Sequence, residues 1–181
     1  MVLGNLFGRK KHERAGYELY TAAVQAGRDP YYYNRLDVPD TMDGRFDMVG
    51  LFVFLVIHRL HPEGEDGKKL AQAVFDAMFS DMDFTLREIG VGDMTVGKKV
   101  KAMWEAFHGR SNAYGAALDA DDMPALSAAI ARNVWRGKEP DANSAELAAM
   151  VARQHRALAA QPLQALAAGR VAFEPAVPVA A

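Results

Sequence analysis

Apolar residues recur at helical spacing through most of this chain. Within residues 11–26, Ala15, Leu19 and Ala23 are four positions apart, and Gly27 follows at a suitable place for the helix to end. Because side chains three and four residues apart share one face of a helix, this spacing predicts an amphipathic helix. The next segment, residues 31–41, contains proline and predicts a short turn followed by extended chain.

The strongest apolar run, residues 48–57 (MVGLFVFLVI), belongs to a second predicted helix with Asp40 or Asp43 as its N-cap. Its apolar side chains would cover every face, which predicts a central, buried helix. A buried strand over residues 49–57 is the alternative, but no partner strand is apparent elsewhere. The run of ten residues is about half of the roughly 20 needed to cross a bilayer.

Further helices are predicted after a polar turn at residues 61–67 (HPEGEDG). Apolar spacing places them at residues 68–79, at 83–89, after a cap at Thr95, from Asp122 to about residue 135, and after a pair of capping residues, Asn143 and Glu146. Prolines then interrupt the Ala-rich end of the chain. The sequence therefore predicts an all-α protein with one compact multi-helix domain over residues 11–168 and a disordered C-terminal tail over residues 169–181.

Composition excludes several classes of function. The chain of 181 residues carries 21 basic and 23 acidic side chains and no cysteine. The near-neutral charge argues against a general nucleic-acid-binding protein, and the lack of thiols excludes disulfides, thiolate metal sites and cysteine nucleophiles. Charge is unevenly distributed, since residues 37–94 carry five basic and twelve acidic groups whereas the segments on both sides are basic. The nine methionines are expected mostly in the core.

The N-terminal segment, residues 1–10, is predicted to lie outside the helical domain. Its apolar residues precede the basic cluster Arg9-Lys10-Lys11, which is the reverse of the order in an export signal. Apolar side chains beside a basic patch can bind weakly to an anionic membrane surface, so membrane contact is one interpretation of this segment and a frayed terminus is the alternative.

Two groups of residues suggest metal chemistry as an alternative. His58 and His61 share a helix end with nearby carboxylates, and Asp40, Asp43 and Asp47 resemble a magnesium cluster. A metal-dependent enzyme therefore stays open, although helix capping explains the same aspartates. The segment GDMTVGKK fits a phosphate-binding loop except at its last position, where lysine cannot hold magnesium.

Several segments together resemble the ubiquinol-cytochrome c chaperone family, the assembly factors of the respiratory cytochrome bc complex (complex III). They are residues 32–47 (YYNRLDVPDTMDGRFD), 75–99 (FDAMFSDMDFTLREIGVGDMTVGKK), 106–114 (AFHGRSNAY) and 132–134 (RNV). In order and spacing the resemblance covers about residues 17–137. His108 departs from it, because an aromatic residue such as tyrosine is expected there.

The resemblance implies a non-enzymatic, all-helical chaperone that helps newly made cytochrome b mature and holds no cofactor or metal of its own. The implied partners are cytochrome b or another complex III subunit and, as in mitochondrial relatives, the ribosome and a small partner subunit. A bacterial member would act in the cytoplasm, peripheral to the inner membrane. The candidate client or partner contacts are the basic residues of the matching segments and their continuation: Arg45, Arg87, Lys98, Lys99, Lys101 and Arg110. A membrane-surface scaffold without a specific client is a further alternative.

Overall fold

Helices make up nearly all of the ordered structure. The computed structural model describes residues 2–177, with side chains from Lys10 onward. The helices are α1 (Val2–Gly27), α2 (Pro30–Arg35), α3 (Met42–Leu60), α4 (Gly64–Glu88), α5 (Asp93–Asp119), α6 (Met123–Val134), α7 (Ala142–Ala159) and α8 (Leu163–Leu166). Residues 2–177 contain no strand. The all-α prediction is confirmed, and the alternative of a strand over residues 49–57 is wrong.

α3 is the central helix of a single domain. It packs against α1, α4, α5, α6 and α7, and its side chains are buried almost throughout. The outer helices turn their apolar stripes toward it, with Leu19, Val74 and Ile130 fully buried. The prediction of a central buried helix is confirmed, because a helix that is apolar on every face needs neighbours on every side.

α1 and α4 cross at very short distance. A Cβ atom added to Gly16 would lie 2.7 Å from the backbone carbonyl carbon of Ala73. The crossing therefore depends on the missing side chain of Gly16, which allows the two backbones to approach.

Some helix boundaries differ from the sequence predictions. α2 occupies the first half of the segment predicted as a turn, because Asp29 accepts a hydrogen bond from the Tyr31 amide and Pro30 suits a first turn. α4 is one continuous helix where two were predicted. Its polar residues around Asp81 do not interrupt it, since the Tyr20 hydroxyl donates to Asp81 at 2.5 Å and the other side chains there reach solvent.

The N-cap residues also agree with the sequence predictions only in part. Asp122 caps α6 as predicted, accepting from the Ala125 amide. α3 is capped by Thr41 rather than by an aspartate, and α5 begins after Gly92 rather than Thr95. In α7 the reciprocal capping box joins Asp141 and Ser144 instead of the predicted pair Asn143 and Glu146. Asn143 instead donates to the Leu36 carbonyl, and Glu146 accepts from the Tyr31 hydroxyl.

The C-terminal segment differs from the predicted mobile tail over its described part, residues 170–177. Gln154 of α7 exchanges two hydrogen bonds with the backbone of Glu174, at 2.7 and 3.0 Å, and Gln161 does the same with Ala172 at 2.7 and 2.9 Å. The Phe173 ring packs edge-on against Phe52 of α3 at 5.2 Å. Because this segment is not helical and contains proline, its backbone groups lack backbone hydrogen-bond partners. The side-chain amides of Gln154 and Gln161 supply those hydrogen bonds instead. Residues 178–181 lie outside the described part.

No helix within residues 2–177 is long and apolar enough to cross a membrane. The expected membrane contact of residues 1–10 falls almost entirely on side chains outside the described residues, so it stays a prediction. The division of the chain at residues 10 and 168 also stays a prediction.

Candidate functional site

The second half of α4 and the first half of α5 form a helical hairpin that buries little of its own surface. We call this hairpin, residues 80–106, the arm. Leu86 and Val96 are its fully buried residues. It exposes four large apolar side chains: Phe84 at 61%, Ile89 at 53% and Met94 at 88% around its turn, and Trp104 at 45% further along α5. Single exposed apolar residues are ordinary, but several on one protruding element indicate a surface that contacts another molecule.

The turn of the arm is fixed by glycine and by one arginine. Gly90 has φ +82°, a conformation that favours glycine, and the Val91 amide donates to the Leu86 carbonyl at 3.0 Å. Arg87 then bridges the two helices, donating to Asp83 at 2.6 Å and to Asp93 at 2.5 Å. The hydrogen bond from Arg87 lowers the pKa of Asp83. Arg87 therefore acts as a clamp on the arm.

A groove lies between the arm and the start of α3, with a volume of about 350 Å³. We call it the Met groove. Its apolar lining comes from Met42, Phe46, Met82, Leu86 and Met103, and its rim carries Arg28, Asp40 and Arg45. The expectation that most methionines lie in the core is wrong, because five of the eight whose side chains are described are not buried. Met48, Met78 and Met150 are buried as expected, whereas Met42, Met82 and Met103 are not. One sequence signal could have indicated their surface position: each lies in an amphipathic segment with few other apolar residues.

A second cleft, with a volume of about 530 Å³, lies between the same three helices, α3, α4 and α5, toward the C-terminal end of α3. Aromatic rings line it, since Phe75 packs 5.8 Å from Phe107 and Trp104 meets His108 edge-on at 4.3 Å. His108, where the family resemblance leads one to expect an aromatic residue, occupies an aromatic position here. Its imidazole ring packs against the rings of Phe75, Trp104 and Phe107.

Five of the six predicted contact residues are exposed, and the sixth, Arg110, is partly buried in an ion pair. Arg87, Lys98, Lys99 and Lys101 lie on the arm and are exposed to solvent. Lys98 and Lys99 form no ion pair with the described residues, while Lys101 approaches Glu105 at 3.8 Å. Arg45, the fifth of these residues, lies on the rim of the Met groove and pairs with Asp40 at 2.6 Å.

Arg110 is placed differently from the other five. Its side chain is 18% exposed and donates to Asp47 of α3, while its guanidinium lies 6.0 Å from the centre of the Phe46 ring. Asp47 is 4% exposed, and its other oxygen lies 3.2 Å from Nη2 of Arg136. Burial raises the pKa of Asp47 despite these two cations. The geometry of Arg110 is that of an internal ion pair between helices.

The residues considered for metal chemistry pair with cations instead. Asp40 pairs with Arg45, whereas Asp43 and Asp47 lie together around Nη2 of Arg136, at 3.3 and 3.2 Å, and Asp47 also accepts from Arg110. His58 lies near the opposite end of α3, where its Nε2 atom is 3.1 Å from Asp119. Among the described residues, no three histidine or carboxylate groups are arranged to hold a metal ion.

Comparisons with known proteins identify relatives along most of the chain. The family model described as "Ubiquinol-cytochrome C chaperone" matches residues 34–173. Ubiquinol-cytochrome-c reductase complex assembly factor 1 of Xenopus laevis is 24% identical over 141 residues, 78% of this chain and 70% of that protein. The Mus musculus protein of the same name is 26% identical over 141 residues, 78% of this chain and 48% of its own length. The match thus spans about half the length of the mouse relative.

A solved structure agrees with the fold over nearly the whole chain. The crystal structure of the Cbp3 homologue from Brucella abortus is 39% identical, with a TM-score of 0.83 and 97% of each chain covered. The matched residues include the arm, the Met groove and the Asp47–Arg110 pair, and by the extent of these matches this chain belongs to the ubiquinol-cytochrome c chaperone family.

Proposed function

We propose that this protein is a non-enzymatic assembly chaperone that helps cytochrome b mature and assemble into ubiquinol-cytochrome c reductase. Membership in the chaperone family and the names of the relatives support a role in complex III assembly. Cytochrome b, or another subunit of complex III, is the client that we propose for this chain.

The observation that carries the proposal is the exposed apolar surface of the arm. Phe84, Ile89 and Met94 each keep more than half of their surface exposed in the described chain. An uncovered apolar surface costs solubility, so its presence is explained best by a partner that covers it for part of the time. A client membrane protein offers such a surface before it is assembled, because its own apolar helices are not yet buried.

We also propose that the protein acts in the cytoplasm, peripheral to the inner membrane. Lys98, Lys99 and Lys101 would favour the approach to an anionic lipid surface or to ribosomal RNA, since exposed lysines attract both. No role for a bound cofactor enters this proposal. Contact with the ribosome, and with a small partner subunit, stays a prediction from the family resemblance.

The proposal is tested in a strain that lacks the protein. We expect little assembled complex III on native gels and a reduced cytochrome b haem absorbance in membranes, both restored by the wild-type gene. Normal cytochrome b spectra and normal complex III in the deletion strain would refute the proposal.

A matched pair of variants then tests the arm. The triple variant Phe84→Ser, Ile89→Ser, Met94→Ser should fail to restore complex III although it folds, because these side chains are exposed. The control variant Tyr17→Ser, Val177→Ser changes side chains with exposures of 62% and 47% outside the arm. It should restore assembly as well as the wild type does. Equal restoration by both variants would contradict the role of the arm.

A further inference from the structure

We propose that the Met groove binds one helical segment of a membrane-protein client, with apolar side chains in the groove and an acidic side chain paired to Arg28. This inference rests on the proposed chaperone function and assigns its client contact to a specific surface and a specific chemistry.

The lining of the groove suits apolar side chains of varied shape. Met42 comes from α3, Met82 from α4 and Met103 from α5, so three separate helices present thioether side chains to one space. Methionine is unbranched and polarisable, and it adjusts its shape to different apolar partners. The Phe46 ring, buried and backed by the Arg110 guanidinium, gives the groove a rigid base.

The rim of the groove supplies a charge without an internal partner. Arg45 is occupied by Asp40 at 2.6 Å, but Arg28 forms no ion pair or side-chain hydrogen bond with the described residues. Arg28 is exposed and follows α1 directly. A free guanidinium beside an apolar groove is complementary to a carboxylate on the bound segment, where two parallel hydrogen bonds can form.

A helix is the form of segment that fits this arrangement. An apolar helix entering a groove inserts side chains spaced three and four residues apart, and a volume of about 350 Å³ admits a few of them. A segment from a membrane protein satisfies its backbone hydrogen bonds as a helix, so its binding would leave no unpaired backbone groups in the groove. An acidic residue one turn beyond the inserted side chains would then reach Arg28.

The test uses two synthetic helical peptides as probes, labelled for fluorescence anisotropy. Both are about 18 residues long, roughly five helical turns. Both carry leucine and phenylalanine on one face, and one has glutamate and the other lysine one turn beyond that face. The wild-type protein should prefer the glutamate peptide by about tenfold, as expected for exchanging an attractive for a repulsive charge contact.

Two pairs of variants locate the contacts. Met82→Ser with Met103→Ser should weaken binding of the glutamate peptide about tenfold or more, because two apolar contacts are lost. The control Met123→Ser removes a methionine that is likewise partly buried but lies at the start of α6, outside both the groove and the arm, and it should leave binding unchanged. Arg28→Glu should reverse the preference between the peptides, whereas Lys138→Glu, an equal charge change at an exposed site in the loop before α7, should leave it unchanged.

Each outcome decides the proposal. Unchanged affinity in the methionine variant, or an unchanged peptide preference in Arg28→Glu, would overturn it, provided that circular dichroism shows folded protein. Concentration-dependent self-association that Arg28→Glu abolishes would overturn it too, because a second copy would then occupy the groove. The proposed function fails separately, by normal complex III in the deletion strain. If deletion lowers complex III but both groove variants restore it fully, the function stands and the groove assignment is wrong.

Discussion

Replacing Arg110 with methionine should destabilise the fold by about 2–4 kcal/mol, somewhat less than the roughly 3–5 kcal/mol lost when a buried ion pair is broken. Arg110 and Asp47 join α5 to α3, and the carboxylate is 4% exposed. Without Arg110 this anion would keep only Arg136, whose Nη2 atom lies 3.2 Å away on a side chain that is 52% exposed. Arg136 offsets part of the loss, which is the reason for the lower estimate. Methionine preserves much of the packing against Phe46 and so isolates the charge.

Replacing the other member of the ion pair, Asp47→Asn, should lower the free energy of unfolding by less than Arg110→Met does. It leaves Arg110 without its carboxylate, but that side chain is 18% exposed and can turn part of its guanidinium toward water. Burial raises the pKa of Asp47, so the ionised carboxylate is already the more strained member of the pair. Removing the anion thus relieves a burial cost that removing the cation leaves in place.

Urea unfolding followed by circular dichroism measures these differences. With a slope of about 2 kcal/mol per molar urea, a loss of 3 kcal/mol shifts the midpoint by about 1.5 M. The double variant Asp47→Asn, Arg110→Met should be more stable than the sum of the single losses by at least about 1 kcal/mol, which is the coupling between the two side chains. An Arg110→Met midpoint within about 0.25 M of the wild type, or strictly additive losses, would refute this account.

Two further predictions concern helix packing and pH. Gly16→Ala should destabilise the protein by about 1–3 kcal/mol, because the added Cβ would lie 2.7 Å from the Ala73 backbone, whereas the control Gly97→Ala, with open space around it, should stabilise α5 by about 0.5–1 kcal/mol. Equal effects of the two changes in urea unfolding would contradict the tight crossing. Burial and the neighbouring His58 lower the pKa of His155 below its usual 6.5, so its neutral form is favoured in the folded state. The resulting stability is complete above about pH 6.5 and is lost as the pH falls toward the lowered pKa, and His155→Gln should flatten the stability profile between about pH 5 and 7.

The sequence was sufficient for those parts of the fold that depend on local patterning. The central helix could be predicted because residues 48–57 are apolar on every face, and the cap at Asp122 because Pro124, two residues later, suits the first turn of a helix. It was insufficient where a polar segment stays helical without being buried. The residues around Asp81 looked like a break between two helices, yet α4 continues through them to Glu88.

The candidate site, too, could be predicted from the sequence only where it depends on local patterning. Lys98 and Lys99 could be placed opposite the apolar stripe of their helix, and therefore at its exposed side, from their helical position. The pairing of Arg110 with Asp47 joins residues 63 positions apart, and no local pattern signals it. The Met groove is likewise built from three helices that are distant in sequence, so its methionines could be recognised as one surface only in the folded chain.

The arm separates what the chain needs for folding from what it needs for contact with other molecules. Residues 75–99 carry much of the family resemblance, yet within the arm the fully buried residues are Leu86 and Val96. If this segment served stability alone, its apolar residues would pack inward, as those of α3 do. Phe84, Ile89 and Met94 point to solvent instead, and Arg87 fixes the turn that presents them. The specific sequence of the arm is therefore explained by a partner outside the chain, and the fold serves to hold that surface in place.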